Sequence, residues 1–202
     1  PNLPGTAMLL ARSTTNPNSN GHSFYNVSFG GAHTLAALIM TGAEDMRFFN
    51  CDIATDGPAA SADFYVGALN AIGATSAFRT ISASGNGNVA AFYGGTFGHG
   101  NATPAHPLVW VDEAISLRFY GSFFAQEGGD PDVVRVTNTA STRVLAFYEI
   151  HAEGGAANFI NLESGSLIGL VLKNSSINGL TNAFVLGDAG KTKTNLDNQI
   201  EQ

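Results

Sequence analysis

The sequence predicts an all-β protein: a right-handed, single-stranded parallel β-helix of about six coils, with an N-terminal arm and a polar C-terminal tail. Three observations predict it. Segments opening on a Phe-Tyr or related pair return roughly every 25 residues. A second family of strand-like segments follows the first in step. Asn or Gly recurs at one fixed position of the repeat, where a chain that must bend sharply needs a residue tolerant of left-handed backbone angles.

The first family is Phe24–Phe29, Phe48–Ile53, Phe92–Phe97, Phe119–Phe124, Phe147–Ala152 and Leu172–Ile177, with starts 24, 44, 27, 28 and 25 residues apart. The second is Thr34–Met40, Ala62–Leu69, His106–Asp112, Asp132–Asn138, Ala157–Glu163 and Asn182–Asp188, separated by 28, 44, 26, 25 and 25. The two series share their one long interval. A fixed period of this length is the mark of a stacked repeat architecture.

The columns carry the physical argument. The opening position (Phe24, Phe48, Phe92, Phe119, Phe147, Leu172) is large and apolar, and so in most repeats is the position two before it (Met46, Ala90, Leu117, Leu145, Leu170). That is the period-2 alternation of a strand with one buried face. The third position reads Asn26, Asn50, Gly94, Gly121, Glu149 and Asn174, a bend between two short strands. Past it, Val27, Cys51 and Ile150 turn inward again, and Phe29, Ile53, Phe97, Phe124 and Ile177 close the inner pattern. One such coil cannot bury its own inner face, whereas stacked coils bury it against each other. Six coils at the inter-strand spacing make a body roughly 30 Å tall.

The body is expected over 22–188. The long interval holds surplus residues near Asn70 to Asn88, so 70–88 reads as a loop or hairpin excursion; Phe78–Ala83 looks like a coil start but lies too close to Phe92 for a full coil. Residues 1–21 form the arm or cap, with an apolar knot at Met8, Leu9 and Leu10 that either covers the first coil or anchors the protein to a larger assembly. Residues 189–202 form the tail. A start at Pro1 without a basic leader suits a complete small protein that has lost its initiator Met.

Composition narrows the function. Hydrophobic residues make up 44% of the 202, enough for a sizeable core, and charged residues only 12%, about half the usual share. Net charge is −7 and the nine Lys and Arg are scattered, so no nucleic-acid partner is expected. No apolar run is long enough for a membrane span. The single cysteine, Cys51, reads as a small buried hydrophobe. Asn26-Val27-Ser28, Asn101-Ala102-Thr103 and Asn174-Ser175-Ser176 match the glycosylation pattern and are read as chance.

The Asn/Gly bends flanked by apolar residues, as in Phe48-Phe-Asn-Cys-Asp-Ile53, resemble those of the parallel β-helix superfamily of pectate-lyase-like enzymes and bacteriophage tailspikes, over roughly 22–188. The resemblance specifies architecture, since unrelated activities share this fold. No enzyme family's catalytic motif matches residue by residue. Resembling phage proteins form parallel homotrimers, which implies three chains here.

The second column points outward and reads Tyr25, Phe49, Tyr93, Tyr120, Tyr148 and Lys173. An aromatic stripe of this kind is rarely left bare on a monomer. It suits an oligomer interface; coverage by the chain's own loops and stacking against sugars are the alternatives. Polysaccharide hydrolysis needs two carboxylates across the scissile bond. Glu149 and His151, with Asp52 on the same outward face, are the weak catalytic candidates; a Glu and a His two apart on a strand are more often merely solvated. Neither a metal site nor a cofactor is expected: the five histidines lack zinc-motif spacing, and no glycine run has the dinucleotide-binding pattern.

The reading that follows is a non-enzymatic viral structural protein on the outer surface of a virion. It takes the form of a phage capsid decoration or cement protein: a trimeric β-helix knob fastened to other virion proteins such as the major capsid protein. The alternative is a tailspike module that binds or cleaves host surface polysaccharide.

Overall fold

A computed structural model describes residues 6–11, 21–29, 36–41, 43, 45–55, 78–81, 88–99, 107–112, 114–126, 132–155, 158–186 and 197–201. The strands run β1 (Thr6–Ala11), β2 (Ser23–Tyr25), β3 (Ser28–Phe29), β4 (Ala36–Thr41), β5 (Met46–Phe49) and β6 (Asp52–Thr55). Next come β7 (Phe78–Ile81), β8 (Val89–Tyr93), β9 (Thr96–His99), β10 (Val109–Val111), β11 (Ser116–Tyr120) and β12 (Phe123–Gln126). The last are β13 (Asp132–Tyr148), β14 (His151–Gly154), β15 (Asn158–Lys173), β16 (Ser176–Asn178), β17 (Asn182–Leu186) and β18 (Asp197–Glu201).

Every pairing among them is parallel, and the strands stack as a β-solenoid, a parallel β-helix. Three faces wrap one core. The first carries β2, β5, β8, β11, the second half of β13, the second half of β15, and β18. The second is the six-stranded sheet β3-β6-β9-β12-β14-β16. The third carries β1, β4, β7, β10, the first half of β13, the first half of β15, and β17. The strands β13 and β15 each turn a corner without a break, their pairing slipping near Val136 to Ser141.

The columns read from the sequence are the columns of the stack. Phe24, Phe48, Phe92, Phe119, Phe147 and Leu172 are register partners in succession, and so are Phe29, Ile53, Phe97, Phe124, Ala152 and Ile177. The inner phenylalanines stack along the axis, with centroids 4.7–5.0 Å apart from Phe24 to Phe147. Across the core they meet the Phe97–Phe124 stack edge-on, as aromatic quadrupoles prefer.

All six bend residues adopt the left-handed conformation: Asn26, Asn50, Gly94, Gly121, Glu149 and Asn174 have φ between 50° and 67°. The bends also bond along the axis. The Asn50 N–H donates to the Tyr93 carbonyl at 2.8 Å, Gly94 to Tyr120 at 2.7 Å and Gly121 to Tyr148 at 2.9 Å. Backbone groups that the corner removes from the sheets thus find partners in the next coil.

Four points differ from the sequence reading. The stack has about four turns rather than six coils. In the six-stranded sheet only four strands have neighbours on both sides; β3 and β16 are edges, and Ile177 and Phe184 near one end are only half-buried.

Next, Phe78–Ile81, inside the expected 70–88 excursion, is a strand of the third face, paired with both β4 and β10. The surplus residues therefore precede this strand instead of following it, and Ala62–Leu69 lies outside the described residues. The aromatic at Phe78 resembled a coil start. Its register puts Thr80 opposite Met40 on one side and Val111 on the other, so the strand fills the rung between β4 and β10 that would otherwise leave two edges unpaired.

The N-terminal arm is in part a strand: β1 lies in register with β4, Met8 opposite Leu38, Leu9 opposite Ile39 and Leu10 opposite Met40. The tail likewise ends in β18, which extends the first face with Ile200 opposite Leu172. Open parallel edges recruit chain at both ends, and Asp197–Glu201, whose one apolar residue is Ile200, has no alternation that would mark it as a strand.

Candidate interaction surface

On the outer side of the first face, Tyr25, Phe49, Tyr93, Tyr120 and Tyr148 are brought together in one column. Neighbouring rings lie 4.6, 4.9, 5.0 and 4.9 Å apart with planes within 9°. The in-register parallel ladder causes this, since equal side chains on successive rungs sit one strand spacing apart. At that distance each inner ring face is covered by the next ring. What reaches solvent is a row of edges tipped by tyrosine hydroxyls. Tyr25, at the end of the row on the edge strand, is 63% exposed; Phe49, Tyr120 and Tyr148 are half-buried. A sugar stacks on an open ring face, so the interior of this ladder offers it none. The strip suits a flat partner that packs against edges and hydrogen-bonds to phenols.

The catalytic candidates do not converge. Glu149 is at a bend, exposed, and the carboxylate beside His151 is Glu153 instead, at 3.3 Å from Nε2. The His151 ring lies on Phe123, centroids 5.3 Å apart. Asp52 shares their outward face but is three rungs away, through Thr96 and Phe123, or roughly 14 Å. Two carboxylates flanking a glycosidic bond stand within about 5–10 Å of each other. Among the described residues no group of three His, Cys, Asp or Glu could hold a metal ion. Cys51 is buried, its thiol directed at the Phe24 and Phe49 carbonyls.

Sequence reasoning missed two features. The first is a polar network on the third face. Asp132, wholly buried, accepts from Arg135 Nε at 2.9 Å, Asn158 Nδ2 at 2.8 Å and Asn161 Nδ2 at 2.9 Å. Arg135 also lies 5.9 Å from the centre of the Trp110 ring. Asp132, Asn158 and Asn182 are register partners, so the 26- and 24-residue spacings were the available signal.

The second feature is a groove of about 310 Å³ beside the aromatic ladder, with Ala91 in its lining. Ala91 is the register partner of Arg47 on one side and Arg118 on the other. The short side chain between two long ones leaves a pit, whose lining also includes Val89, Tyr93 and Asp45. Asp45 has φ +54° and holds Arg47 at 2.8 Å.

Comparison with known protein families, with characterised proteins and with solved structures returns no match.

Proposed function

We propose that this chain is a non-enzymatic structural protein that self-assembles through the aromatic ladder, as the trimeric knob of a virion surface. The observation that carries the reading is the ladder: five rings in one plane-parallel row, edges outward, on the flat outer side of a parallel sheet. A rigid strip loses little conformational entropy on docking, and its alternation of ring edges with hydroxyls matches the aromatic-rich centre of protein interfaces. The virion setting, capsid decoration included, comes from the resemblance to phage β-helix proteins, as does the number three. Separation of Glu149, Asp52 and His151 supports the non-enzymatic part.

Light scattering on the purified chain tests it. The expected species contains three 21.0 kDa chains. Replacing Tyr120 and Tyr148 together with Glu puts charge into the seam and should release monomers that retain β-structure by circular dichroism. A wild-type protein monodisperse at 21.0 kDa overturns self-assembly. The groove around Ala91 favours a second reading, a module that binds surface glycan.

A further inference from the structure

We infer that the open edge of β16 is a docking site for one extended strand of a partner protein, added in parallel to the six-stranded sheet. This rests on the hydrogen-bond ladder at that end and stands or falls independently of the aromatic face.

The ladder repeats one bond at each corner. The carbonyls of Val27, Cys51, Gly95, Ser122 and Ile150 accept the N–H of Asp52, Thr96, Phe123, His151 and Ser176 in the next coil, at 2.9–3.2 Å. Ser175 is the sixth member of that series, and among the described residues nothing donates to its carbonyl. Because the Ser176 N–H turns toward β14, the alternation of a strand turns the N–H and C=O of Ile177 the other way. The Gly179 N–H points with them. The edge therefore offers an acceptor, a donor, an acceptor and a donor: Ser175 C=O, Ile177 N–H, Ile177 C=O and Gly179 N–H.

The apolar column stops at the same place. Phe29, Ile53, Phe97, Phe124 and Ala152 are buried, whereas their counterpart Ile177 is half-buried. Ser176 and Asn178, on either side of it and facing outward, are exposed. An added strand with an apolar residue over Ile177, between two polar ones, completes the ladder and the column together.

The slot is one strand wide. On the other two faces, β17 and β18 each add a rung over β15, and no described strand adds one over β16. A second copy seated on this end would lay its β1 and β2 on β17 and β18. Its β3 would then stand one rung too high, and the slot would stay empty. A single extended segment fits, held by main-chain bonds and one side-chain contact, as peptides add to other exposed sheet edges.

Hydrogen exchange read by NMR on the isotope-labelled full-length protein tests the inference. The probe is an acetylated peptide amide with the sequence of residues 122–126, in which Phe124 is the inward residue. In the free protein the Ile177 and Gly179 amides should exchange at least tenfold faster than those of Ser176 and Asn178. Saturating peptide should slow both at least tenfold. The same peptide carrying Phe124→Asp, or N-methylated at the Phe123 nitrogen that meets the Ser175 carbonyl, should have no effect. In the protein, Ile177→Pro removes only an edge donor, so it should keep its circular dichroism and lose the response. Ile177 and Gly179 amides already as slow as their neighbours overturn the inference, as does an absence of protection by the peptide or equal protection by its N-methylated form. Protection that rises with protein concentration alone gives the slot to a second copy and overturns it too.

Discussion

Phe92 and Phe119 lie one rung apart in the core with centroids 5.0 Å apart and planes within 6°. Both are fully buried, and Phe119 also meets Phe97 and Phe124 edge-on at 5.5 Å. Removing one ring of this array leaves a void that neighbours fixed by two backbone ladders cannot collapse into.

Phe119→Ala should therefore cost about 3–5 kcal/mol in urea unfolding, while Thr96→Ala, half-buried on the outer side of the second face, should change stability by less than about 0.5 kcal/mol. Equal unfolding midpoints for the two variants would contradict the inward register.

Thr80 is wholly buried between Met40 and Val111, and its hydroxyl has no hydrogen-bond partner among the described residues. An unmatched buried hydroxyl costs about 1–3 kcal/mol. Thr80→Val keeps the shape and removes that cost, so it should raise stability by roughly 1 kcal/mol. A lower melting temperature would mean that the hydroxyl is matched in solution.

Two glycines with similar backbone angles should respond differently to alanine. At Gly95, φ is +80° and an added Cβ runs into the Cys51 carbonyl. At Gly121, φ is +60° and the space is open. Gly121→Ala pays only the left-handed conformation, about 1–2 kcal/mol, whereas Gly95→Ala must also displace the neighbouring coil and should lose clearly more. Thermal unfolding of the pair decides it, and equal losses would place the corner elsewhere.

Glu149 occupies one of the left-handed bends, the other five of which hold Asn or Gly. Glu149→Asn should stabilise by about 0.5–1 kcal/mol, since Asn tolerates this region better. The same variant bears on catalysis. No cleavage of capsular or pectic polysaccharide is expected from the wild type. Reducing sugar released by the wild type and lost in Glu149→Gln would replace the structural reading with an enzymatic one.

Asp132 holds three donors from a position with no solvent access. Asp132→Ala removes the buried acceptor shared by Arg135, Asn158 and Asn161 and should cost about 3 kcal/mol, moderated by the contact of Arg135 with Glu163 at 3.2 Å. Glu163→Ala, removing a carboxylate that is 53% exposed, should fall within the range of surface ion pairs, below about 1 kcal/mol. Chemical denaturation of both variants measures the contrast.

What the sequence determined by itself is the apolar, aromatic and bend columns that recur in nearly every repeat. A parallel in-register stack places residue i over its counterpart in the next coil, so a column in an alignment of repeats becomes a column in space. Phe24 to Leu172 inside, Tyr25 to Tyr148 outside and the bends at Asn26 to Asn174 were legible for that reason, down to which way each side chain faces. What only the tertiary structure decided is everything that depends on an edge or on a difference between rungs. Strand β7 is set by the free edges of β4 and β10, and β1 and β18 by the open ends of the stack; neither force leaves a local pattern in Phe78–Ile81 or Asp197–Glu201. The pit at Ala91 likewise exists because Arg47 and Arg118 bracket it from coils 44 and 27 residues away in sequence. An alanine in one repeat says nothing of a groove until the coils are stacked and the two long side chains stand on either side of it.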